Sequence, residues 1–139
     1  MTRDFVIATM GGREKESQMK TKSVISLSTG LEDAEKVTVA LLVAVGSAES
    51  DRPTLIFLTK EAVRLVVGEV ARGTACEGCP PLEDLMRRYA EAGGRFLVCP
   101  ICFDAKHLDK ADLVTNAELG GTVPMWGWIG DEPANTFSY

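Results

Sequence analysis

All four cysteines of the chain fall into two C-x-x-C pairs, Cys76 and Cys79 in CEGC and Cys99 and Cys102 in CPIC, with nineteen residues between the pairs. Sulfur in this pattern can do three different things. Four thiolates can neutralise and cage a zinc ion, and two C-x-x-C pairs at this separation lie within the spacing of tetrahedral zinc sites. A single thiolate can act as a nucleophile, provided its sulfur reaches solvent and free amides or a cation favour the ionised form. Free cysteines can also be small buried hydrophobes with no chemistry at all. The choice depends on where the fold puts the two pairs.

The chain has 139 residues, enough for one ordinary domain to bury a core without a metal or disulfide as a staple. Its 15 Lys plus Arg against 20 Asp plus Glu give a formal charge of -5, which repels a phosphate backbone and argues against nucleic acid. The longest apolar run, VTVALLVAV from Val37 to Val45, is about half the length needed to span a bilayer and reads as a buried helix. No membrane partner is expected. The opening MTRDFVIATMGGREKESQMK has no apolar core followed by a small-residue cleavage site, so a cytoplasmic location is expected, where thiols stay reduced.

The elements alternate in type. Residues 1–21 read as a leader, either mobile or a poorly attached edge, and residues 22–139 as one α/β domain. SVISLS has strand length and composition, and Thr29 with Glu32 three residues later is a capping-box signature for a helix over about 32–46. TLIFLT is a second apolar strand and KEAVRLV a second, shorter helix. GEVARGTACEGCP reads as a loop, and PLEDLMRRYAEAGG as a helix with Leu82, Leu85, Met86 and Tyr89 at helical spacing, closed by Gly93 and Gly94. RFLVC is the third strand, NAELGG holds a short fourth, TVPMWGWIG a short helix, and NTFSY the last strand. Continuous apolar strands alternating with helices predict a three-layer domain with a mostly parallel sheet of about five strands and helices on both faces.

Such a fold also places the sulfurs. The helix over 82–92 and the strand over 95–99 each run roughly 16 Å in opposite directions, so CEGC and the end of VCPIC return to one carboxyl edge of the sheet. Ligands bind at that edge in open α/β sheets. Against a zinc cage formed by Cys76, Cys79, Cys99 and Cys102 stands the interval between the pairs, which holds a helix and a strand where a zinc ribbon would be expected. For thiol chemistry stands Cys99 at a strand end, with Lys106 and the only histidine, His107, a turn or two later as candidates to favour its thiolate. Trp126 and Trp128 read as core or subunit packing. No phosphate-binding glycine motif, serine-nucleophile motif or paired-carboxylate signature is present, and no cofactor is expected beyond the zinc of the alternative reading.

The order SVISLSTGLED, TLIFLTKEAVRLV, LEDLMRRYAEAGGRFLVCPICF, KHLDKADLVTNAELGG and NTFSY resembles the DsrE/DsrF family of small sulfur-relay proteins over residues 22 to 139. The resemblance implies a YchN-like fold, related in class to flavodoxin-like sheets, and assembly as a trimer or hexamer. It implies further that Cys99 accepts sulfane sulfur as a persulfide and passes it on, between donor and acceptor proteins. Cys102, Cys76 and Cys79 go beyond the single cysteine of that family's carriers and become candidate resolving thiols. The alternatives in other classes are a zinc-binding regulatory or structural module using all four cysteines, and a non-catalytic oligomeric interaction protein.

Overall fold

Among the described residues, five short segments become strands and all of them run parallel. β1 (Lys22–Leu27), β2 (Thr54–Leu58), β3 (Arg95–Val98), β4 (Ala117–Leu119) and β5 (Ala134–Ser138) form one sheet in the order β4-β3-β2-β1-β5. These come from a computed structural model that describes residues 20–139. The leader reading for residues 1–21 lies outside the described residues except at Lys20 and Thr21, which are tied to the domain: Lys20 Nζ donates to Ser50 O and Arg52 Nη1 to Thr21 O.

Parallel neighbours need crossovers, which here are helical. α1 (Ala34–Glu49) links β1 to β2, and α2 (Leu82–Glu91) links β2 to β3. α3 (Pro100–Ala105) follows β3, and α4 (Thr122–Ile129) links β4 to β5. β2 is buried at all its positions, as a strand covered on both faces must be. Side-chain alternation divides the interior. Ile25, Leu27, Ile56, Leu58, Phe96 and Val98 belong to the main core with α1 and α2. Leu55, Phe57 and Leu97 form a smaller cluster with Met125 and Trp128 of α4 on the other face. The three-layer α/β architecture read from the sequence is the one observed.

Two local elements differ from expectation. The first helix is capped by Asp33, whose Oδ1 accepts from Lys36 N at 3.0 Å, and not by Thr29. A 3-10 turn over Leu31–Asp33 comes first, and Glu32 Oε1 accepts from Gly30 N instead of completing a capping box with Thr29. Residues Lys60–Val66 form a 3-10 helix in place of a second short α-helix. Seven residues repay helix nucleation poorly, and Thr59 offers no side-chain cap to start one.

Tyr89 ties α2 to the sheet. Its ring meets Phe96 edge-on with centroids 5.0 Å apart, and its hydroxyl donates to Arg95 O at 2.7 Å. Burial pushes the phenol far above its ordinary range. The folded state therefore holds a proton that the unfolded chain releases near pH 10. Stability is expected to fall by about 1.4 kcal/mol per pH unit above about pH 10 through this group. Urea titrations at stepped alkaline pH will show that slope, and Tyr89→Phe will lack it.

Candidate functional site

β3 ends at Val98 and the chain turns into α3 at Cys99, which has φ -60 and ψ 118. Cys99 N donates to Leu58 O at 3.0 Å, and its carbonyl accepts from Phe103 N at 3.0 Å, the first bond of the helix. Cys99 is thus both the continuation of the β2–β3 pairing and the N-cap of α3. Pro100 follows at the first helical position, where its missing N–H costs nothing. No side chain caps the first turn, so its amides remain available beside the thiols. Cys102 lies in that same first turn. Residues three apart across a helical turn have Cα atoms about 5 Å apart, within the range a disulfide can bridge. In this structure both thiols are half-buried and unbonded.

Strand parity sends the two sulfurs to different surroundings. Phe96 and Val98 face α1 and α2, so Leu97 and Cys99 face α4. Cys99 packs against Leu55, Phe57 and Leu97, the cluster that Met125 and Trp128 also cover, whereas Cys102 packs against the main core. The last turn of α4 is held at the start of β1. Lys22 Nζ donates to Trp128 O at 2.6 Å and Ile129 O at 3.1 Å, and it lies 5.2 Å from the centroid of the Trp128 ring. Gly120 lets α4 come this close: its N–H donates to Val98 O at 3.0 Å, and a Cβ there would meet Leu97 Cδ1 at 2.6 Å. On α3 and α4, Ile101 is 80% exposed, Val123 81% and Trp126 64%. Sequence reasoning took the tryptophans for core or subunit packing, which Trp128 on the Leu97 cluster fits, and missed Lys22 and Gly120 as what seats α4 there. Only the register of α4 against the sheet reveals them.

The CEGC pair lies elsewhere. Cys76 and Cys79 are joined as a disulfide across a turn closed by Cys79 N to Cys76 O at 2.9 Å, with Gly78 at φ +78. Cys76 Sγ lies 3.8 Å from Thr38 Oγ1 in α1. The first turns of α1 follow the end of β1, so the pair keeps the expected carboxyl edge, but it stands on the α1 and α2 side, away from the cluster around Cys99. Among the described residues no three His, Cys, Asp or Glu side chains come together in a way that could hold a metal ion. The set Cys76, Cys79, Cys99 and Cys102 is therefore not gathered. Distance along a βαβ unit fixes the edge, but the face depends on the parity of β3.

Lys106 and His107 are not beside Cys99. Both lie past the far end of α3, about 10 Å along its axis. Lys106 Nζ pairs with Glu61 Oε2 at 3.5 Å, and His107 is exposed with φ 55. The Glu61 carboxyl is held below its usual range by the hydrogen bond from Arg64 and then by Lys106. Glu61 and Arg64 line an open cavity of about 450 Å³ with Leu31, Glu32, Leu65 and Val70, in which Cys99 takes no part.

The five-stranded parallel sheet with helices on both faces defines a YchN-like fold. The YchN protein of E. coli superposes with a TM-score of 0.66 at 18% identity, covering 86% of this chain and 100% of that one. A protein of unknown function from Methanobacterium thermoautotrophicum gives 0.59 at 15% identity, with 86% and 100% covered. A conserved protein of unknown function from Bacteroides thetaiotaomicron gives 0.55 at 15% identity, with 85% and 95% covered. At these identities the likeness is one of fold. No family model and no curated protein matches the chain. Among the described residues no helix is long and apolar enough to cross a membrane.

Proposed function

We propose that the chain is a sulfur carrier of the DsrE type, in which Cys99 accepts sulfane sulfur as a persulfide and Cys102 resolves it. The observation that carries this reading is the unbonded C-P-x-C pair at the carboxyl end of β3, with Cys99 as N-cap and uncapped first-turn amides beside it. Amides and an apolar wall suit the chemistry. Free amides favour the thiolate that attacks the outer sulfur of a donor, and the Leu55, Phe57 and Leu97 cluster on which Cys99 packs gives the bound persulfide an apolar side. Release follows when an acceptor thiolate takes the outer sulfur, or when the Cys102 thiol attacks Cys99 sulfur, forming the Cys99–Cys102 disulfide and expelling sulfide. Sulfur donor and acceptor proteins are the partners this implies, in a cytoplasmic setting.

The Cys102→Ser protein tests it. Loaded with inorganic polysulfide and freed of excess, it is expected to hold one added sulfur on Cys99 at least about tenfold longer than the wild type, because the internal thiol that expels sulfide is gone. Alkylation and intact mass read the result. A Cys102→Ser protein that never gains a sulfur contradicts the proposal.

An interaction role in an oligomer is favoured by a separate observation and is compatible with the first. Val39 and Leu42 on the outer face of α1, and Ile101, Val123 and Trp126 around α3 and α4, leave large apolar side chains in solvent. A homo-oligomer, trimer or hexamer, would cover them. Light scattering at micromolar concentration is expected to give a multiple of the 15.0 kDa chain mass, and a clean monomer would remove this part of the reading.

A further inference from the structure

The Cys76–Cys79 disulfide does little as a staple. It closes a four-residue turn within the connection between the 3-10 helix Lys60–Val66 and α2, and that connection is already fastened without it. Leu82 N donates to Thr74 O at 2.9 Å, Gly73 N to Glu83 Oε1 at 3.2 Å, and Gly68 N to Asp112 O at 2.8 Å. Cys79 N to Cys76 O and the positive φ of Gly78 hold the turn itself. Neither sulfur joins either hydrophobic cluster, although Cys99 and Cys102 both do. Both residues of the pair are half-buried, so solvent reaches the turn. A bond that links no distant segments, packs in no core and sits at the surface belongs to the labile class of disulfides.

Its electron partner must come from outside the domain. Cys99 faces the opposite side of the sheet, in the cluster with Met125 and Trp128, and Cys102 packs against the main core. We infer that Cys76 and Cys79 form a second thiol–disulfide exchange site, independent of Cys99, whose substrate is a thiol reductant. A substrate thiolate attacks one sulfur of the pair, the Cys76–Cys79 bond breaks, and the departing sulfur leaves as a thiolate and takes a proton. A second substrate thiolate attacks the mixed disulfide and releases the first cysteine, which is protonated in turn. The substrate thiols lose two electrons and two protons and become a disulfide; the pair gains them and becomes a dithiol. Gly78 keeps the two cysteines within bonding distance in both states, with Cα atoms 5.1 Å apart in the oxidised one.

The experiment uses the full-length Cys99→Ser/Cys102→Ser protein, so that sulfur chemistry at Cys99 has no part in the readout. The protein is equilibrated in buffers of graded reduced and oxidised glutathione, with dithiothreitol as the dithiol arm. It is then quenched with acid, alkylated and weighed intact. Cys76 and Cys79 are expected to gain and lose alkyl groups together, reversibly, while the circular dichroism spectrum stays folded and the melting midpoint moves by only a few degrees. Should that variant not fold, Cys99→Ser alone, with peptide mapping to assign the bond, reads the same equilibrium. Three outcomes overturn the inference: a pair that stays oxidised in excess dithiothreitol while the protein is folded, reduction that unfolds the domain, or exchange present in the wild type and absent in the variant. Exchange with dithiothreitol but not glutathione supports it and assigns the substrate to dithiols; exchange with both supports it and extends the substrate to monothiols.

Discussion

Cys99→Ser will reduce sulfur uptake from inorganic polysulfide to the level of a buffer control, a loss of at least about two orders of magnitude, and will leave the fold intact. The hydroxyl that replaces the thiol is no nucleophile toward sulfane sulfur at neutral pH, so the step has no other route at this position. Folding should tolerate the change. Both hydrogen bonds that fix residue 99, its N–H to Leu58 O and its carbonyl from Phe103 N, are backbone bonds. Serine is also a better N-cap than cysteine, able to accept from the first-turn amides that now lack a side-chain partner. What is lost is contact with the Leu55, Phe57 and Leu97 cluster, a small apolar term. Thermal unfolding alongside the uptake assay separates the two effects, and a variant that loses sulfur uptake only because it unfolds would not support the role given to Cys99.

The largest effect on stability is expected from Gly94→Ala. A Cβ at residue 94 would overlap the Tyr89 ring, which is fully buried and cannot move aside. Tyr89 O accepts from Gly94 N at 2.8 Å, and Asn116 Nδ2 donates to Gly94 O at 2.9 Å, so the backbone is held as firmly as the ring. Overpacking of this kind costs about 3 kcal/mol out of a total on the order of 5–15 kcal/mol for a domain. The melting midpoint of Gly94→Ala should fall by about 10 °C, and circular dichroism on heating measures it. A midpoint within a degree or two of the wild type would mean that α2 does not seat on β3 as described.

Much of this was legible in the sequence, for identifiable reasons. After Thr54, LIFL is an unbroken apolar run, as in a strand covered on both faces, so β2 and the parallel sheet followed. Leu82, Leu85 and Tyr89 at helical spacing, with Gly93 and Gly94 behind them, marked α2 and its end. The carboxyl-edge placement of Cys99 came from counting lengths through α2 and β3. Three things were hidden. The face on which Cys99 projects depends on strand parity one residue past β3, which length counting does not resolve, and this is what separates it from Cys76. Lys106 follows Cys99 closely in sequence, but α3 carries it away and Glu61 engages it. The role of Lys22 under Trp128 joins residues 106 positions apart, and no local pattern announces it.

Locating the first sulfur taken up by the wild-type protein tests the central claim most directly. Brief exposure to limiting polysulfide, trapping by alkylation, intact mass and peptide mapping should find one added sulfur on the peptide containing Cys99, before any appears at Cys76, Cys79 or Cys102 alone. With time the same peptide should pass to a Cys99–Cys102 disulfide as sulfide appears in solution. A first sulfur on the peptide containing Cys76 and Cys79, or none on a folded protein whose Cys99 resists alkylation, would contradict the account and return Cys99 to the role of a packed hydrophobe.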